Sequence, residues 1–312
     1  MTSGCLISDL NRYCGDVQGA KFQSQLPGLL AREWGLSVDS VDPILQGINS
    51  LTMAVATPLG RFVAKWVPSA GRESLVSGAH TARLMHDHGI RAGAPLPAAS
   101  GALTICHSDG ELLLLEEVPG TPLTASPRDQ PAWGTALAAV HAACPLSPED
   151  DFFVWLAESG SDSIHPPWVR RAVAEACVEY SQLPPLTWAL LHTDPEPEAF
   201  LRDDRGDVGV IDWAGSVPGP VLYDVASAVM YAGGEHRAQS FLDTYRQAGV
   251  VQATELLDNL GSLRRLRAAV QAEYFSRRLY EGNLIGIENN DENARGLRDA
   301  GEMLQTLGLH VD

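Results

Sequence analysis

The sequence predicts an α+β chain in two lobes, a small antiparallel-sheet lobe followed by a mostly helical one. Three observations predict it. β-rich runs in the first third follow the order strand, strand, helix, strand, strand. Pro119-Gly120-Thr121-Pro122 then breaks the chain. Beyond that break the apolar residues recur mostly at helical spacing. The division falls between residues 1–117 and 118–312.

The elements follow in order. Phe22, Leu26, Leu29, Leu30 and Trp34 share one helical face, so an amphipathic helix precedes the first strands, and Pro27 favours a late start. Residues 44–55 and 61–67 flank the turn Thr57-Pro58-Leu59-Gly60 and read as an antiparallel hairpin. A helix over 73–88 ends at Gly89, and strands over 103–107 and 112–118 flank Ser108-Asp109-Gly110. Helices are then expected over 131–143, 169–183, 223–231, 236–248, 254–279 and 292–307. The segment 190–212 interrupts them.

Composition narrows the function. At 312 residues, 45% hydrophobic and 20% charged, the chain is long enough for two cores. No apolar run approaches the roughly 20 residues a membrane span needs. Met1-Thr2-Ser3-Gly4 lacks the basic start of a signal peptide, so a cytoplasmic protein with no membrane partner is expected. Five scattered cysteines without CxxC spacing argue against a disulfide framework or a zinc site. The net charge of −17 argues against nucleic acid, which demands a basic footprint, and suits a cationic small molecule better.

The chemistry concentrates between residues 190 and 224. His192-Thr193-Asp194 and, eighteen residues on, Val210-Ile211-Asp212-Trp213 bracket a polar turn. Phosphoryl transfer from a nucleotide asks for two such acids, one to orient a hydroxyl nucleophile and one to hold Mg²⁺. Asp194 follows an apolar strand and precedes Pro195 and Pro197, a rigid setting that suits a general base. His192 reads as a residue that packs the loop. Asp212 ends a buried strand and offers a hard oxygen ligand. Lys65, which the alternation in Phe62-Val63-Ala64-Lys65 puts on the same face as Val63, can reach phosphates as a point charge. Gly47-Ile48-Asn49-Ser50, in the preceding turn, offers a phosphate-covering loop.

Together these segments resemble the aminoglycoside phosphotransferase family, the small-molecule branch of the protein-kinase-like fold, over roughly residues 43–279. The family's loop reads approximately HGDxxxxN, followed by a strand and I-D-W; here it is His192-Thr193-Asp194-Pro195-Glu196-Pro197-Glu198-Ala199, then Ile211-Asp212-Trp213. The resemblance implies a bilobal fold that binds ATP or GTP with Mg²⁺ and transfers the γ-phosphate to a hydroxyl of a small molecule, such as an antibiotic or other natural product. It makes Lys65 the phosphate lysine, with Asn49 and Ser50 nearby. Asp194 becomes the base and Asp212 the metal ligand. Backbone groups from Glu116 to Val118 become partners for the base of the nucleotide, and Asp224 in Tyr223-Asp224-Val225-Ala226 braces the catalytic loop.

Three positions depart from the pattern. Ala199 stands where the family has a metal-binding asparagine, which leaves the adjacent Glu198 as the carboxylate that could replace it. Ser77, Gly78 and Ala79 stand where a helix acid would pair with the lysine, and Glu73 is the only candidate one turn earlier. Thr193 replaces glycine before the catalytic aspartate. These departures keep two alternatives: a Ser/Thr kinase acting on a natural-product precursor peptide, and a pseudokinase that binds a protein partner. The acceptor site is expected around residues 150–168 and the helix carrying Arg264, Arg265, Arg267, Arg277 and Arg278, whose arginines are expected to pair with surplus acids.

Overall fold

The structure, a computed structural model, describes residues 4–44, 50–148, 153–284, 287 and 289–309, and of residues 4–18 the backbone only. The chain divides into two units. The first comprises residues 1–119 together with Ile211–Ala214 and Leu284–Asn289, and the second holds the rest.

In the first unit the helix α1 (Gly4–Trp34) is followed by β1 (Ser40–Ile44), β2 (Leu51–Thr57), β3 (Gly60–Pro68), α2 (Arg72–Asp87), β4 (Thr104–His107) and β5 (Gly110–Glu116). The strands form one antiparallel sheet in the order β1-β2-β3-β5-β4. Alternation along β3 divides its side chains between two cores. Phe62, Ala64 and Trp66 pack with Phe22, Leu26 and Leu30 of α1, whereas Val67 joins Leu75 and Ala79 of α2 and Leu113 of β5. Lys65, paired in register with Leu113, emerges between these neighbours.

The expected late start of the first helix is not what the chain does: α1 is continuous through Pro27. An interior proline costs about 3 kcal/mol. Burying Phe22, Leu26, Leu29 and Leu30 offsets it, since each contributes about 1.5–3 kcal/mol. Trp34 adds an indole N–H bond to the Leu96 carbonyl at 2.8 Å. The helix over 72–87, the two later strands and the second hairpin arm lie where the sequence puts them; of the first arm expected over 44–55, residues 51–57 form β2, residues 45–49 lie outside the described residues, and Ile44 ends β1, an additional strand that the sequence did not reveal.

The second unit contains β6 (Thr121–Pro122), α3 (Gln130–Ala143), β7 (Pro145–Leu146), α4 (Val154–Gly160), α5 (Pro167–Ser181), β8 (Trp188–Leu191), β9 (Phe200–Arg202), β10 (Val208–Val210) and β11 (Val217–Pro220). It continues with α6 (Val221–Tyr231), α7 (Gln239–Gln247), α8 (Ala253–Glu281) and α9 (Asn290–Thr306). Two small antiparallel sheets, β10-β9-β6 and β11-β8-β7, lie among the helices. Trp133 of α3 packs against Phe241 of α7 with ring centroids 4.9 Å apart. The long helix α8 packs along α5, α6 and α9. All six expected helices are present, and α4 is a further short one. Among the described residues no helix is long and apolar enough to cross a membrane.

Candidate active site

Lys65 and Asp212, 147 residues apart in sequence, meet in the first unit with Nζ 2.7 Å from Oδ1. The Lys65 side chain is largely buried and that of Asp212 is half exposed. Two features fix the aspartate's turn. The indole N–H of buried Trp213 donates to the Ala92 carbonyl at 3.1 Å. Helix α2 reaches the turn through Gly78, where an added Cβ would lie 2.9 Å from the Ala214 backbone. Asp212 itself has φ of +67°, a left-handed conformation that aspartate tolerates better than most residues.

Gly78 therefore gives α2 its close approach to the turn that carries the acid, while Ala79 packs in the core beside Val67 and Leu113. Lys65 has Asp212 as its ion partner, while Glu73 is exposed in the first turn of α2. Ser50 is described, with Oγ 3.1 Å from Thr52 Oγ1, whereas Asn49 lies outside the described residues. At the end of β5 the Glu116 N–H is committed to the Ala94 carbonyl and the Glu117 N–H to that of Arg61. Val118 follows, buried.

In the second unit β8 delivers the chain to Asp194. Asp224, fully buried in the first turn of α6, accepts the backbone N–H groups of His192 at 2.7 Å and Thr193 at 2.8 Å through its two oxygens. It is held in turn by His141 Nε2 at 3.0 Å, whose Nδ1 meets the Tyr245 hydroxyl at 2.7 Å. Such a buried, satisfied network fixes a loop more firmly than its separate bonds would. Thr193 adopts φ of +71°, and its hydroxyl donates to the Gly215 carbonyl at 2.9 Å. The residue that replaces glycine thus keeps a glycine-like backbone and gains an anchor. His192 is buried with its ring beside Phe200, the packing role its position suggested.

Asp194 presents an exposed side chain whose Oδ1 is hydrogen-bonded by the Tyr231 hydroxyl and approached by Arg267 Nη2 at 3.5 Å. Burial and then the neighbouring Asp194 push the Tyr231 phenol well above its usual range. Burial disfavours the charge on Arg267, but Tyr223, Tyr231 and Asp194 outweigh it and raise its pKa. Glu198 is exposed, and the next residue, Ala199, is buried. Among the described residues no cluster of three His, Cys, Asp or Glu side chains forms a ready-made ion cage.

Tyr231 is the site residue that sequence reasoning missed; no local signal marks a contact that spans 37 residues. Four of the five arginines of α8 pair with acids as expected, Arg264 with Glu235, Arg265 with Glu179, Arg267 with Asp194 and Arg277 with Glu273, whereas Arg278 Nε donates to the Asn293 side-chain oxygen at 2.9 Å. In the expected acceptor region Phe153 packs between Tyr180 and Tyr223, whereas Trp155 is exposed.

Known proteins share this architecture. The chain is similar to choline kinase from Streptococcus pneumoniae, with a TM-score of 0.71 and 16% identity over 92% of this chain and 99% of that one. It is similar to an amicoumacin kinase solved with AMP-PNP, Ca²⁺ and its ligand, with a TM-score of 0.69 and 15% identity over 93% and 96%. A spectinomycin phosphotransferase solved with ADP and spectinomycin gives a TM-score of 0.65 and 15% identity over 91% and 97%. These likenesses show a kinase-like fold. A protein of Deinococcus radiodurans is 26% identical over 250 residues, 71% of this chain and 73% of its own. The sequence profile of the phosphotransferase enzyme family (APH) matches residues 40–266, well over half of the chain, and the chain belongs to that family.

Proposed function

We propose that the protein transfers the γ-phosphoryl group of ATP or GTP to a hydroxyl of a small molecule, with an antibiotic or another natural product as the acceptor class. The observation that carries this reading is the ion pair of Lys65 and Asp212, at 2.7 Å. A strand lysine and an acid brought together across 147 residues are what phosphate and metal binding require. The activities of the structural neighbours support the same class of acceptor.

Each residue has a part in the chemistry. The Lys65 ammonium has three donors, and with one on Asp212 two remain for phosphate oxygens. The Val118 N–H, which has no backbone partner among the described residues, is the donor available to the nucleotide base. The Asp212 carboxylate fits Mg²⁺, and Glu198 is the exposed carboxylate next to Ala199, whose side chain offers no ligand atom. Magnesium on Asp212 would supply charge neutralisation on the phosphate oxygens. Asp194 takes the proton of the acceptor hydroxyl as its oxygen bonds to the γ-phosphorus, while the β–γ bridging P–O bond breaks and the nucleoside diphosphate leaves.

The test is γ-phosphate transfer from Mg²⁺-ATP and Mg²⁺-GTP to aminoglycosides, nucleoside antibiotics, macrolides, sugars and amino alcohols. Transfer to at least one of these is expected. No transfer to any, together with identical behaviour of wild type and Asp194→Ala in binding and complementation, would move the protein to the pseudokinase reading.

A further inference from the structure

We propose that Tyr231 and Arg267 are positioning residues that lock the Asp194 carboxylate by Oδ1 and so reserve Oδ2 for the acceptor's proton. This rests on the reading of Asp194 as the base. Both contacts, from the Tyr231 hydroxyl on α6 and from Arg267 Nη2 on α8, fall on the same oxygen. Among the described residues Oδ2 carries no hydrogen bond.

The need for such a lock follows from exposure. The Asp194 side chain is 61% exposed, and a short carboxylate in water turns freely about its terminal torsion. A base out of reach of its proton loses rate steeply, so a fixed carboxylate is worth having. Arg267 is suited to fix it because it is itself held: its side chain is only 8% exposed. Nε donates to Ser227 Oγ at 2.9 Å and Nη1 to Gln271 Oε1 at 2.6 Å, which leaves Nη2 for Asp194. A buried guanidinium requires an acid, and Asp194 is its ion partner among the described residues. The Tyr231 phenol keeps its proton through the working range, because burial and Asp194 both hold it there, so it can only donate to the carboxylate.

Hydrolysis of Mg²⁺-ATP with water as acceptor tests this without knowledge of the natural acceptor. Tyr231→Phe is expected to lower kcat about tenfold with KM for ATP changed less than about twofold, a loss smaller than that of the base itself and confined to the chemical step. Asp194→Asn is expected to lower kcat about a hundredfold or more, and adding Tyr231→Phe to it to cost nothing further, because the two act as one unit. Arg267→Lys should retain more activity than Arg267→Gln. Full activity in Tyr231→Phe, or an undiminished tenfold loss in the Asp194→Asn background, overturns the positioning role and leaves the base reading intact. Full activity in Asp194→Asn overturns the base reading and this proposal with it. Crystal structures of wild type and Tyr231→Phe decide independently of turnover: a reoriented Asp194 carboxylate in the variant is expected, and the same rotamer in both overturns the lock.

Discussion

Asp224 answers to three donors, the N–H groups of His192 and Thr193 and the ring of His141; both histidines are buried and Thr193 is partly so. Leaving a buried donor unsatisfied costs about 1–3 kcal/mol. Asp224→Ala orphans several at once, so its stability in urea denaturation is expected to fall by about 3 kcal/mol or more. A midpoint equal to wild type would show that the loop does not depend on this carboxylate. At the neighbouring position, a β-branched residue in the left-handed region costs about 1–3 kcal/mol, which the Gly215 bond and the Asp224 brace together offset. Ala199→Asn should leave kcat unchanged or raise it, whereas Glu198→Ala should raise the Mg²⁺ concentration needed for half-maximal rate. The wild-type Mg²⁺ requirement in Glu198→Ala would remove Glu198 from metal binding. Asp194, Asp212 and Asp224 were legible in the sequence because short strings of fixed residue types surround them. Tyr231 was not, because its partner lies on another element and a helix-end tyrosine looks like any other.

Helix α2 shows how an element sets the geometry of a residue far from it in sequence. Replacing Gly78 by alanine gains about 1 kcal/mol of helix propensity. The new methyl would lie 2.9 Å from backbone atoms of Ala214, two residues after Asp212, and overpacking of that kind costs about 1–3 kcal/mol. The clash wins, so Gly78→Ala should lower both stability and kcat; a stabilised, fully active variant would contradict the close approach. Helices α5 and α8 are joined by Glu179, whose carboxylate accepts from Arg265 Nε and Ser262 Oγ, each at 2.6 Å. Arg265 first, with Ser262 assisting against burial, lowers its pKa from the usual 4.5. A lowered folded-state pKa gives stability that is present above 4.5 and lost as pH falls through the folded value. The stability difference between wild type and Glu179→Gln should therefore shrink as pH drops below 4.5, and a difference constant with pH would contradict the coupling. At this scale the sequence was most legible where periodicity is long, as in α8. It was least legible at β1, an exposed five-residue strand with Pro43 inside it, since an edge strand tolerates proline and needs no apolar alternation. Pro27 misled for a related reason: local propensity argued against a helix that tertiary burial sustains.

Across the whole molecule the surplus of acids, a net charge of −17, makes a field that concentrates cations. For a cationic acceptor, kcat/KM should fall severalfold between about 20 and 200 mM salt as the charges are screened. A neutral acceptor should show no such fall. Equal salt dependence for both would mean that the acidity serves solubility alone. The two-part organisation was visible from the sequence because the strand-rich and helix-rich stretches separate cleanly. The return of Ile211–Ala214 to the first unit was not, because nothing local says that a strand's end will join a distant lysine.

The central claim is that Asp194 and Asp212 serve phosphoryl transfer to a hydroxyl, and the most direct measurement of it is single-turnover transfer from γ-labelled nucleotide with Mg²⁺ to the acceptor found in the panel. Wild type should yield one phosphorylated hydroxyl. Asp194→Ala and Asp212→Ala should each be slower by about a hundredfold or more. Transfer at the wild-type rate by either variant would contradict the account.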